Sequence, residues 1–123
     1  MLNVYIDNIG EMAVIECAGN IVRSDASLKL RDAVNSQRDA RIIVLDLSEV
    51  SVVEGGGVGM LVFLQRWAQD HHIRLKLFNP RRSVRDQLEH VSSMQEFDIA
   101  SLDEMMALLA EADHRYARSG RAA

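Results

Sequence analysis

Two apolar runs, residues 41–47 and 73–78, flank a stretch that changes to helical period, and this succession constrains the fold more than any other feature. The first run, with Ile42, Ile43, Val44 and Leu45 leading to Asp46, reads as a buried strand. The second alternates apolar and basic side chains, as a strand does, and Pro80 punctuates its exit. Between them come a turn over residues 48–53, then Gly55, Gly56, Gly57 and Gly59, then a helix to about Asp70 with Leu61, Leu64 and Ala68 on one stripe. A strand–helix–strand unit of this kind closes as a right-handed parallel crossover, with its helix packed on the sheet.

The rest of the chain extends that unit. Residues 4–9 and 12–18 are short apolar-rich runs joined at Asn8 and Gly10, which supply turn chemistry for a hairpin. Residues 24–36 place Ala26, Leu30, Ala33 and Val34 on one helical face, with Lys29, Arg31, Asp32 and Asn35 opposite. A further helix is expected from Ser83, whose spacing to Asp86 suits a capping pair, with Val84, Leu88 and Val91 facing inward. A short last strand falls at residues 97–99. Ser101 and Glu104 then form a capping box for a final helix striped by Leu102, Met105, Met106 and Leu109. Residues 115–123 turn small and basic and read as a frayed, flexible tail beyond a domain of residues 1–114. The expected fold class is α/β: one domain with a mixed, mostly parallel sheet of four to five strands and about four helices.

Charge and composition exclude several function classes. A net charge of -4 argues against a general nucleic-acid binder, and the longest apolar stretch is far too short to span a membrane. With no basic region before an apolar block at the N-terminus, the expected location is the cytoplasm. The single cysteine, Cys17, lies among apolar residues beside Glu16 and reads as a buried, inert thiol.

Candidate chemistry is sparse. The glycines at 55–59 fit neither G-x-G-x-x-G nor a Walker motif, since Met60 interrupts the first and no Lys-Ser/Thr completes the second. His71 and His72 are adjacent, so they do not share a helix face, and they read as surface residues, as do His90 and His114. No G-x-S-x-G elbow is present, and Asp103 and Glu104 sit where helix polarity explains them. The reading is a non-enzyme with no cofactor and no metal. Trp67 is a candidate interface anchor with burial as the equal alternative; Met94 is a further adaptable apolar side chain, and Arg81, Arg82 and Arg85 form a basic, solvated face.

The run Asp46-Leu47-Ser48-Glu49-Val50 followed by Glu54-Gly55-Gly56-Gly57-Val58-Gly59-Met60-Leu61 resembles the signature of STAS domains, the anti-sigma factor antagonists. Their pattern is a buried strand, a D-L-S-x-V-like turn, and D-S-S-G-L-G-x-L opening a helix. The likeness continues through Phe78-Asn79-Pro80, residues 83–88 and residues 97–104, and so covers nearly the whole chain. It implies a mixed sheet with helices mostly on one side, in a module of bacterial transcription control that docks on an anti-sigma factor acting as a serine kinase. The alternatives that it leaves open are a scaffold subunit of a stress-sensing assembly and a ligand-binding or lipid-trafficking accessory domain. A homo-oligomer is compatible with each.

At the regulatory position this sequence departs from the pattern. The family is commonly switched by phosphorylating the first serine of the motif, which here is Gly55, and Gly56 replaces the second. Neither can accept phosphate, while Glu54 stands where the family has Asp. Three successive glycines are expected to form a mobile loop before the helix. The expected contact surface is Ser51, Glu54, Gly55, Gly56, Gly57, Val58 and Met60, with Met60 exposed because it lies off the helix's apolar stripe.

Overall fold

Gly10 and Glu11 turn the chain between its first two strands, β1 (Leu2–Ile9) and β2 (Met12–Ile21). Ile9 and Met12 flank that two-residue turn, and only Gly10 has positive φ, at 59°. This is the pattern of a type II′ hairpin, in which the first turn position needs a residue without a Cβ. The computed structural model describes residues 2–21, 25–91 and 97–122, without the side chains of residues 25, 55, 56, 90, 91 and 113–122. Met94, the side chains of Val91, His90 and His114, and the expected helix start at Ser24 lie outside the described residues.

After the hairpin come α1 (Asp25–Asn35), β3 (Ile42–Val53), α2 (Gly55–Asp70), β4 (Arg74–Phe78), α3 (Arg82–Val91), β5 (Ile99–Ala100) and α4 (Leu102–Ala122). The five strands lie in sequence order across one sheet; β1 is antiparallel to β2 and every later pairing is parallel. The expected α/β architecture is therefore the one observed.

Side chains alternate across the sheet and build two cores. On one face Ala13, Ile15 and Cys17 of β2, Ile43, Leu45 and Leu47 of β3, and Leu75 and Leu77 of β4 pack with Leu30, Val34, Leu61, Leu64 and Leu88 of α1, α2 and α3. On the other, Met12, Val14 and Val44 are covered by Met105 and Ala112 of α4. Three helices thus share one face, and α4 has the other.

Lys76 lies on the α4 face, opposite Val44, and is only 4% exposed. Its ammonium donates to Asp98 (2.9 Å) and Glu104 (3.4 Å), so the charge is paired on both sides. Ser101 and Glu104 form the expected capping box: the Glu104 amide donates to Ser101 Oγ at 3.1 Å, and the Glu104 carboxylate accepts from the Ser101 amide at 3.5 Å.

Several local expectations change. The turn expected at residues 48–53 is the last part of β3, which keeps pairing with β2 as far as Val53. The helix α3 starts at Arg82, and the Arg85 amide bonds Arg81 O at 2.8 Å, so Ser83 lies inside the first turn and does not cap it. The last strand is Ile99–Ala100, shifted from 97–99. Met106, expected on the apolar stripe with Met105, is 60% exposed. Helical backbone continues to Ala122, through the boundary expected after residue 114.

Candidate functional site

Asp46 begins the site. Its carboxylate accepts the Ser48 amide at 2.9 Å and a short bond from the Ser48 hydroxyl. Between these residues the β2–β3 register slips, from Glu16 opposite Asp46 to Ala18 opposite Glu49, giving β3 an extra residue. A second slip follows at once: Gly19 faces Val50 and Asn20 faces Val52, which leaves Ser51 unpaired between them. Gly19 meets this with a φ of 122°. Each bulge bends the strand and increases its twist. Both lie beyond Asp46, where the β4 pairing has stopped because β4 ends at Phe78, and Ser51 is exposed.

Arg81, from the segment entering α3, fastens this projecting end. Its Nε donates to Ser48 O at 3.0 Å, its Nη1 lies 3.5 Å from Ser51 Oγ, and its guanidinium pairs with Glu49 at 3.6 Å. The arginines at 81, 82 and 85 are all exposed, as expected, but Arg81 also serves as a clamp. Between β3 and α3 lies an open cleft of about 370 Å³, lined by Ser51, Val52, Val53, Glu54, Ser83 and Gln87.

The glycine run is not a loop. Gly55, Gly56 and Gly57 form the first turn of α2, and Glu54 is its N-cap in extended backbone (φ −99°, ψ 172°). The Glu54 carbonyl takes the Val58 amide at 2.9 Å, and its own amide bonds Ile21 O at 3.1 Å. Its carboxylate is exposed and makes no capping hydrogen bond, so what it lends the helix is charge against the dipole, about 0.3–1 kcal/mol.

Two members of the expected contact surface are corrected here. Val58 is 0% exposed and belongs to the main core, because it starts the buried stripe continued by Leu61, Leu64 and Ala68. Gly57 is also buried: a Cβ there would lie 2.2 Å from Ile21 O and 2.8 Å from Ile21 C. Its glycine allows the end of β2 to touch the start of α2. Met60 is half-buried, packed partly against the core.

The outward face of α2 is different from the one expected. Gly59 is exposed with open space around it, and Phe63, one turn on, is 51% exposed. Arg66 continues the stripe. Sequence reasoning missed Phe63, although its place off the Leu61–Leu64–Ala68 stripe was the signal. It weighed Trp67 instead, which is half-buried and stacks on His71 with ring centroids 4.4 Å apart. Of the residues about the start of α2, Ser51, Glu54, Gly59 and Phe63 are exposed and Met60 is half-buried.

The site combines the Ser51 hydroxyl, the Glu54 carboxylate and the apolar surface of Met60 and Phe63. Among the described residues no group of three His, Cys, Asp or Glu could hold a metal ion, and no helix is long and apolar enough to cross a membrane. Cys17 is buried behind Asp46 at the β2 register slip, and burial, reinforced by Asp46, pushes its thiol up to about 12.

Solved structures share this fold. An anti-sigma factor antagonist from Mycobacterium paratuberculosis is 14% identical, with 89% of this chain and 95% of that one aligned at a TM-score of 0.73. RsbS of Moorella thermoacetica is 16% identical over 88% of this chain and 95% of its own, with a TM-score of 0.68. The phosphorylated Bacillus cell fate determinant SpoIIAA is 17% identical, covering 87% and 99%, with a TM-score of 0.66. In the longer chains of Mglu and the murine anion transporter Slc26a9, the likeness spans only 20% and 18% of their length. No curated protein matches the chain. At these identities the structures establish the fold alone. The family assignment rests on the match of residues 4–111 to the STAS domain, which takes in the bulged β3, the glycine turn and α4 as far as Glu111. The chain belongs to the STAS domain family.

Proposed function

We propose that this chain is a non-catalytic regulatory module that docks on an anti-sigma factor or related serine kinase and is not phosphorylated at the usual place. The observation that carries the reading is the start of α2. The first turn of α2, entered from the extended Glu54 and held against Ile21 at Gly57, offers no hydroxyl at Gly55 or Gly56. The structural likeness to anti-sigma factor antagonists supports the same reading. A kinase that recognises such a turn therefore finds a surface to bind and no hydroxyl at the usual two positions. Phosphorylation adds about −1.5 to −2 charge at a helix start, so its absence leaves the module permanently in its docking form.

The test is titration calorimetry against anti-sigma factor kinases from the same genome, using wild type, Gly59→Arg and Gly55→Ser. Gly59 has open space, so Gly59→Arg changes the surface without disturbing the core. Wild type should bind one such kinase and take up no phosphate at residue 55. Gly59→Arg should fold normally and bind at least about tenfold more weakly. Gly55→Ser should become a substrate for the kinase that binds. Unchanged affinity in Gly59→Arg overturns the docking surface, and a Gly55→Ser protein that binds but is never phosphorylated overturns the regulatory analogy.

A further inference from the structure

The sheet has two edges, and they are unlike. β5 offers two residues, whereas β1 offers eight. Sheets usually blunt a long edge with Lys, Pro or a bulge. β1 (LNVYIDNI) has none of these; it pairs with β2 without a register slip, and its one charge is Asp7.

Hydrogen-bond phase shows which groups face outward. Ile9 and Met12 close a two-residue turn, so they exchange both ladder bonds, and the pairing alternates from there. Asp7, Tyr5 and Asn3 turn their backbone groups to β2, while Asn8, Ile6, Val4 and Leu2 turn theirs away. The Lys29 ammonium donates to Leu2 O at 2.9 Å, as this phase requires. Among the described residues nothing else bonds the edge. Two large apolar side chains stand beside it, Tyr5 at 60% and Ile6 at 39% exposure, one on each face of the sheet.

We infer that the β1 edge joins two copies of this chain, strand to strand and antiparallel, into one continuous sheet. β1 is complementary to itself in length, phase and charge. A two-fold axis through Ile6 sets Val4 opposite Asn8 of the second copy and Asn8 opposite its Val4. Every outward amide and carbonyl of these three residues then has a partner. Tyr5 falls opposite Asp7 of the second copy, so no like charges meet. Leu2, already held by Lys29, lies beyond the paired stretch. A strand from another protein would have to bring the same phase and the same lack of charge. The pairing leaves the start of α2 accessible on each copy, so the dimer presents two docking turns.

Sedimentation velocity on the full chain across a range of concentrations tests this. Wild type should pass reversibly from the 13.8 kDa monomer to twice that mass. Ile6→Lys sets two ammonium groups against each other at the axis and should weaken self-association by about tenfold or more. Amide hydrogen exchange supplies a readout that does not depend on the variant. Protection of the Val4, Ile6 and Asn8 amides should rise with concentration, while Tyr5 and Asp7, bonded to β2, stay protected throughout. A monomer at every concentration overturns the inference. So does an assembly of any size that is indifferent to Ile6→Lys, or a dimer in which Val4, Ile6 and Asn8 continue to exchange fast.

Discussion

Gly57 and Gly59 are two residues apart in one helix and answer opposite demands. At Gly57 an added methyl would sit 2.2 Å from the Ile21 carbonyl oxygen, and the obstruction is backbone. Gly57→Ala should therefore lower stability in urea denaturation by about 2–3 kcal/mol, as the start of α2 is forced off β2. At Gly59 nothing lies within 4 Å, so Gly59→Ala should raise stability by about 0.5–1 kcal/mol through helix propensity. Sequence could not separate these glycines, because the contact that distinguishes them is made by Ile21, on a different strand. It read Cys17 correctly, because its apolar neighbours were local. With burial raising that thiol from 9.0 to about 12, native protein should resist alkylation at pH 8 and react only when unfolded. The sign for stability follows: the folded pKa lies above the unfolded one, so this contribution is complete below pH 9 and is lost as pH rises toward 12. Denaturant midpoints measured across that window should fall, and those of Cys17→Ala should fall less.

Elements whose signals are local were legible: the hairpin at Gly10, the capping box at Ser101 and the strand–helix–strand unit all depend on neighbours in the chain. The length of β3 was not. Residues 48–53 look like a turn because bulges interrupt their alternation, and only pairing with β2 makes them strand. The place of Lys76 was not legible either, since an alternating apolar and basic strand does not show what covers its basic face. That face is in fact covered by α4, and Lys76 there holds Asp98 and Glu104. The Lys76 link ties the start of α4 to β4. Removing both carboxylates (Asp98→Asn with Glu104→Gln) strands a buried ammonium, whereas Lys76→Met removes the charge and keeps most of the volume. The double variant should therefore lose more stability than Lys76→Met. The expected loss is about 1–3 kcal/mol, moderated because both carboxylates are half-exposed. Urea denaturation of the two proteins decides it, and a larger loss in Lys76→Met would show that packing of the side chain outweighs the ion pair.

At the scale of the molecule the sheet is held from both sides, and the sides are unequal. The face under α1, α2 and α3 carries the larger core, while among the described residues the opposite face is covered by α4. Met12, Val14, Val44, Met105 and Ala112 are buried there, with Leu108 and Leu109 partly so. At about 1.5–3 kcal/mol for each fully buried large side chain, their sum is comparable with the whole stability of a small domain, about 5–15 kcal/mol. A chain ended after Ser101 should accordingly not fold cooperatively. It should bind a hydrophobic dye such as ANS and lose the sharp urea transition, because Met12, Val14 and Val44 would face water. A chain ended after His114 keeps Met105, Leu108, Leu109 and Ala112, and should retain a cooperative transition and leave the dye unbound. If the shorter chain unfolds as sharply as the longer one, the second core is a cover over an independently stable sheet. If ending the chain at 114 also abolishes the transition, the remainder of α4 is part of the domain and the boundary lies beyond it.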